Sequence, residues 1–207
     1  MKLYNGFSPN GARVAIFLAE KGIDLPTQTI DIFKGETRTD AFREINSLGQ
    51  VPVLELDDGR RLCETIAICR YLEHLYPDPA LFGTDPETQA FIEMWTRRME
   101  LWLFNVAADV PLHRMEIFKD IIEQNADYAA SRARAFDKRL FWFDQELSDG
   151  RPFVAGEAFS IADIVGMSML MIVRFMGMEI PASLSHVKRW ESAVTARPSF
   201  PQLPQAA

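Results

Sequence analysis

Ser8 stands immediately before Pro9-Asn10-Gly11, and a hydroxyl in that position can do two kinds of work. Proline loses nothing at a first helical position, because its amide would have no helical partner there. Ser8-Pro9 therefore reads as an N-cap and the first residue of a helix. The plain role for Ser8 is that cap. The chemical role is to donate to an anion, which the unpaired amides and the positive end of the helix also favour. Were the ligand a thiol, this environment would favour thiolate and lower its pKa. Asn10 and Gly11 are weaker helix formers than stability alone would select, and Asn5-Gly6-Phe7 delivers Ser8 from a strand end. Ser8 is read as an anion stabiliser and not a nucleophile, because no histidine precedes His74.

Two further stretches could hold a peptide. In Gly49-Gln50-Val51-Pro52-Val53 a proline precedes a strand, where it needs no ladder amide and a trans bond suffices. The alternative is a cis Val51-Pro52 turn whose Val51 amide and carbonyl pair with the backbone of a bound peptide. Glu64-Thr65 opens a helix directly after a strand, either as ordinary first-turn capping or as a site for an α-amino acid head group. Thr65 and nearby amides would take the carboxylate and Glu64 the ammonium. Gln50 can offer an amide near the same strand ends.

The elements that would position these groups change period several times before residue 77. Lys2–Tyr4 is a short strand, followed by a helix to about Lys21 with Val14, Phe17 and Leu18 on one face and Gly22 stopping it. Thr27–Asp31 is a second strand and Asp40–Asn46 a short helix. Val53–Leu56 and Arg60–Cys63 form a hairpin, and a helix runs over Glu64–Leu75. The order is β-α-β-α-β-β-α, an α/β unit over residues 1–77. Residues 78–86 form a proline-rich linker. Residues 87–207 read as all-helical, with patterns over Glu87–Val110, Asp127–Leu147, Ser160–Gly177 and Leu184–Ala196 and an irregular tail from Pro198.

Composition narrows the function classes. Fifteen Phe, four Tyr and four Trp supply core material for a folded chain of 207 residues. The net charge is −7, with nine basic against eleven acidic residues in 1–77 and thirteen against eighteen beyond. Neither part offers a basic surface for nucleic acid. The longest apolar run, Ile164–Val173, has ten residues, whereas a membrane helix needs roughly 17 to 25. Met1-Lys2-Leu3-Tyr4 leads straight to Asn5-Gly6, leaving no room for a signal-peptide apolar region, so a cytoplasmic protein is expected. Cys63 and Cys69 form no CxxC pair, and His74, His113 and His186 are scattered singly, so no metal site is expected.

Four stretches in order resemble the glutathione transferases over nearly the whole chain. They are Ser8-Pro9-Asn10-Gly11-Ala12-Arg13, Gly49-Gln50-Val51-Pro52-Val53-Leu54, Glu64-Thr65-Ile66-Ala67-Ile68 and Phe159-Ser160-Ile161-Ala162-Asp163-Ile164. The resemblance implies a thioredoxin-like N-terminal domain that binds glutathione and an all-α C-terminal domain that forms the electrophile pocket. It implies that Val51 pairs with the cysteinyl backbone of glutathione at a cis Pro52 and that Glu64 and Thr65 hold the γ-glutamyl head with Gln50 beside them. Lys34 falls where members often place a basic residue toward the glycyl carboxylate, although a solvated loop lysine is an equal alternative. The serine-type pattern makes Ser8 the thiol-activating hydroxyl. A bacterial and fungal Thr-Pro-Asn-Gly subgroup instead brings Asn10 to the sulfur, and it includes disulfide reductases and peroxidases. Tyr4 is read as structural.

The implied function is a cytoplasmic, homodimeric transferase of the kind used in detoxification, with glutathione as co-substrate and a small electrophile, disulfide or peroxide as its partner. The alternatives are glutathione-dependent disulfide reduction or peroxidase chemistry, an isomerase or dehalogenase using the same thiolate, and a non-catalytic binding protein on the same fold. In the helical part, Met94, Arg98, Trp102 and Asn105 recur at helical spacing. Phe7, Arg98, Trp102 and His113 are the pocket candidates, with surface or inter-helix packing the alternative for His113 and solvent or acid pairing for Arg97 and Arg98. Ser160 and Asp163 form a capping box and are structural. The methionine-rich run after them reads as a buried helix whose methionines fill the core, with a soft substrate pocket the alternative, and Trp142 and Trp190 read as core anchors.

Overall fold

In the computed structural model, residues 1–200 are described, and the remainder of the expected irregular tail, 201–207, lies outside them. The chain divides into two units, Met1–Leu81 and Phe82 onward.

The first unit follows the order read from the sequence. Strand β1 (Lys2–Asn5) leads to helix α1 (Pro9–Lys21), strand β2 (Thr27–Thr29), a 3₁₀ turn (Glu36–Arg38) and helix α2 (Asp40–Ile45). Strands β3 (Val53–Glu55) and β4 (Arg61–Leu62) form the hairpin, and helix α3 (Thr65–Leu75) closes the unit. The sheet order is β2-β1-β3-β4, with β1 parallel to β2 and antiparallel to β3, and β3 antiparallel to β4. This is the thioredoxin-like arrangement. Gly22 ends α1 in the left-handed region (φ 63°), where its amide reaches the carbonyls of Ala19 and Leu18. Val14, Phe17 and Leu18 of α1 are buried, and Tyr4, Ile30, Phe42 and Val53 form a cluster on which Ile45, Val51 and Cys63 pack. Lys21 and Glu73 make a buried ion pair at 2.6 Å, and Glu73 also accepts from the Leu81 amide at 2.9 Å, tying the end of the unit back to α3.

The second unit is helical. Helix α4 (Pro86–Arg97) runs through a π-helical segment (Arg98–Phe104) into helix α5 (Asn105–Leu112). Helices α6 (Ala126–Glu146), α7 (Ile161–Phe175) and α8 (Ser185–Thr195) follow. Helix α7 is buried on every side from Ile161 to Val173, as its apolar composition demands. Its capping box stands on Asp163, which accepts from the Ser160 amide (3.0 Å), the Val154 amide (2.8 Å) and Trp190 Nε1 (2.9 Å). Asp144 of α6 accepts from the His186 and Val187 amides at 2.8 and 3.0 Å, capping α8 from another helix. Among the described residues no helix is long and apolar enough to cross a membrane, and no group of three His, Cys, Asp or Glu side chains could hold a metal ion.

Candidate functional site

Sheet register brings three segments together. Tyr4 lies opposite Val53, and Leu54 opposite Leu62. The residues after β1, before β3 and after β4 therefore meet at one end of the sheet. Those are the Ser8 loop, the Val51-Pro52 turn and the Glu64-Thr65 helix start.

At the first segment, Ser8 has extended backbone and its Oγ accepts from the Gly11 amide at 2.9 Å. A hydroxyl that accepts in this way still has its own proton to donate. Pro9 has no amide and the Ala12 amide is taken by the Ser8 carbonyl at 2.8 Å. The donors left at the start of α1 are the Ser8 hydroxyl, the Asn10 amide and the exposed Asn10 side chain. Gly11 is there for close packing. A Cβ on it would lie 2.2 Å from the Gly6 carbonyl and 2.4 Å from Asn5 Oδ1. Asn5 locks the approach, accepting from the Gly6 amide at 2.9 Å and donating to the Gly11 carbonyl at 3.1 Å. Phe7, in the same loop, is exposed.

The Val51-Pro52 bond is cis. Val51 lies outside β3, and among the described residues its amide and carbonyl enter no backbone hydrogen bond, whereas Pro52 and Val53 are buried. Asn46 holds the turn from behind by donating to the Gln50 carbonyl at 2.8 Å and accepting from the Leu48 amide at 3.2 Å. The Gln50 side chain is left exposed. Val51 is also close to the Ser8 loop, because a Cβ on Gly6 would be 3.3 Å from Val51 Cγ2.

Glu64 is the one non-glycine residue with positive φ (67°) among the described residues. Its side chain is exposed and makes no cap to α3. Among the described residues the amides of Thr65, Ile66 and Ala67 are left without backbone acceptors, the first helical bond being from Ile68 to the Glu64 carbonyl at 2.9 Å. Thr65 is buried, and its Oγ1 accepts from Arg13 Nη1 at 2.7 Å. Arg13 and Asn46 are residues whose roles the sequence reading missed. Arg13 had a signal: it lies four residues before Phe17, on the buried face of α1. Asn46 had none, because its partners follow from the turn.

The other candidates are dispersed. Lys34 is exposed and pairs with Asp31 at 3.1 Å; the Lys34 amide and ammonium hold the Asp31 carboxyl below its usual range. The Tyr4 hydroxyl donates to Glu55 at 3.3 Å from a buried ring. Arg98 pairs with Glu146 at 3.7 Å and lies over the Trp95 ring, while Arg97 pairs with Glu100. Trp102 is held by Arg139, which stacks on its ring at 4.0 Å and donates to its carbonyl. Arg97, Arg98, Leu101, Trp102 and Trp142 line a groove of about 380 Å³ on the helical unit. His113 accepts from the Asn125 amide at 3.3 Å and meets the Tyr128 ring edge-on, the inter-helix packing alternative. Burial raises the thiol pKa of both Cys63 and Cys69, so neither is an activated nucleophile.

Residues 7–75 match the family model of the glutathione S-transferase N-terminal domain, and residues 94–198 that of the glutathione S-transferase C-terminal domain. The chain belongs to the glutathione transferase family. Glutathione S-transferase 2 of Saccharomyces cerevisiae is 33% identical over 199 residues, spanning 94% of this chain and 85% of the relative. A glutathione S-transferase domain-containing protein of Marinobacter aquaeolei superposes with a TM-score of 0.91 at 33% identity, covering 97% of this chain and 100% of that one. A Gtt2-class glutathione S-transferase of Vibrio parahaemolyticus superposes with a TM-score of 0.83 at 32% identity, covering 97% and 95%. Family membership carries glutathione transferase-type catalysis with glutathione as co-substrate.

Proposed function

We propose that this transferase lowers the pKa of the glutathione thiol at the amino end of α1, with Ser8 as the principal donor, and uses the thiolate to attack a small electrophile. The observation that carries the reading is the Ser8 hydroxyl, which accepts from Gly11 and so keeps its proton for an anion. In this reading the unpaired Val51 amide and carbonyl take the cysteinyl backbone next to Pro52. The Thr65 hydroxyl and the free amides of α3 take the γ-glutamyl α-carboxylate, and Glu64 takes the ammonium, with Gln50 beside them. Lys34 reaches the glycyl carboxylate by exchanging an exposed pair with Asp31 that is worth about 0–1 kcal/mol. In the helical unit, the groove that Arg98 and Trp102 line is assigned to the second substrate, and His113 to packing.

A thiol with pKa near 8.5 is only a few per cent ionised at pH 7, so a drop of about 2 units raises the thiolate fraction more than tenfold. Part of the gain is offset because nucleophilicity falls with pKa. The carbon–sulfur bond then forms as the leaving group departs with its electron pair.

A second reading is favoured by one observation, the exposed Asn10 side chain beside Ser8 with no partner among the described residues. On that reading Asn10 faces the sulfur, and the thiolate reduces a disulfide or peroxide, as in the Ser/Thr-Pro-Asn-Gly subgroup. Turnover of an aryl halide, a disulfide and a peroxide by Ser8→Ala and Asn10→Ala separates the two. Loss of conjugation in Ser8→Ala supports the first. Loss of disulfide turnover in Asn10→Ala with Ser8→Ala unaffected overturns it.

A further inference from the structure

Arg13 is 1% exposed and projects from the apolar face of α1 between the buried residues Gly11 and Phe17. Burying a guanidinium is expensive, and a methionine would fill similar space without that cost. Arginine has donors and no acceptor, so in the 2.7 Å bond between Arg13 Nη1 and Thr65 Oγ1 the threonine oxygen must accept. The Thr65 proton is thereby turned away from Arg13 and kept for another acceptor. The unpaired amides of Thr65, Ile66 and Ala67 open α3 at the same place. The guanidinium that fixes the hydroxyl is itself held out of water, so the bond it makes to Thr65 is little screened.

We infer that Arg13 is a positioning residue, acting through Thr65 to set the affinity of the site for the α-carboxylate of a γ-glutamyl peptide. The inference rests on the proposed reading of Thr65 as the group that holds this carboxylate. It adds a role for α1: its first turn carries Ser8 and Asn10, and one turn later the same helix orients the donor that grips the other end of the peptide.

The test compares glutathione with its analogue in which γ-aminobutyrate replaces the γ-glutamyl residue, which keeps the ammonium and lacks the α-carboxylate. Calorimetry and steady-state kinetics are run on the full chain, on Arg13→Met, Arg13→Lys and Thr65→Val, and on the Arg13→Met/Thr65→Val double variant. Arg13→Met is expected to weaken glutathione binding and raise its KM about ten- to a hundredfold, as loss of support for a charged hydrogen bond would. Affinity for the analogue and kcat at saturating glutathione should stay within about threefold. The double variant should bind glutathione no more weakly than the worse single variant, since both break one device. Arg13→Lys, with a charge and no planar fork, should fall between wild type and Arg13→Met.

Equal loss of both tripeptides, or a fall in Tm and kcat with KM unchanged, overturns the inference in favour of simple packing. If Arg13→Met does not fold, Arg13→Lys decides: the preference for glutathione over the analogue must fall, and an unchanged preference overturns the inference. If Thr65→Val weakens glutathione binding and neither Arg13 variant does, the inference fails alone. If wild type binds glutathione no better than the analogue, or not at all, the assignment of Thr65 fails and takes the inference with it.

Discussion

On the proposed reading, Ser8 carries two roles that a single substitution removes together. Its Oγ caps the Gly11 amide, so Ser8→Ala should cost about 1 kcal/mol of stability whatever its effect on sulfur. The chemical effect has to be read separately, as a rise of more than one unit in the pKa of the bound thiol. Asn10→Ala touches no cap and should leave Tm unchanged. Glu64 shows a different trade. Its positive φ of 67° is strained for any residue with a Cβ, and such strain gathers at functional positions. Glu64→Gly is expected to hold or raise Tm by up to the equivalent of about 1–2 kcal/mol while glutathione affinity falls. Thermal denaturation beside calorimetry checks this, and a variant that loses stability without losing affinity would contradict it. Ser8, Asn10, Val51 and Thr65 could be marked as candidates because hydroxyl, amide and proline at helix and strand ends have mechanical meaning in sequence. The strain at Glu64 was not, since nothing in a glutamate's identity announces positive φ.

Helix α1 shows how an element subordinates propensity to packing. Alanine is a better helix former than glycine by about 1 kcal/mol, yet Gly11→Ala places a Cβ 2.2 Å from the Gly6 carbonyl. The substitution should destabilise the chain by about 1–3 kcal/mol in urea unfolding. In α7, Asp163 gathers donors from the Val154 and Ser160 amides and the Trp190 indole. Asp163→Ala should cost about 3–5 kcal/mol by orphaning them. Burial outweighs those donors and pushes the Asp163 carboxyl up from 3.8 to about 6. Between those values the native state holds a proton that the unfolded chain has released. Its contribution to stability therefore declines as pH rises from about 4 to 6 and is level above. Wild type compared with Asp163→Asn by urea midpoint over that range reads the effect; a difference growing with pH would contradict it.

The order of elements was legible because Gly22, Pro9, Pro86 and the Ser160 box punctuate clean periods. The π-helical stretch at Arg98–Phe104 was not, because an extra residue per turn shifts the phase without a composition cue. That shift is why the regular spacing of Met94, Arg98, Trp102 and Asn105 does not by itself define one face. The partners of Asp163 and Asp144 were equally hidden, since Trp190 and His186 are 27 and 42 residues away.

The whole chain combines a sheet-bearing unit and a helical unit, each with its own buried residues. A homodimer is what the family resemblance implies, and light scattering should then give twice the chain mass of 23.6 kDa; a single chain mass would contradict it. The catalytic proposal stands apart from assembly and rests on the charge state of one sulfur. Ultraviolet titration of the thiolate in the glutathione complex measures that state directly. A bound-thiol pKa of about 6.5, shifted toward 8.5 in Ser8→Ala, is the expected result. A sulfur that stays protonated in the wild-type complex well above neutral pH would contradict the proposal.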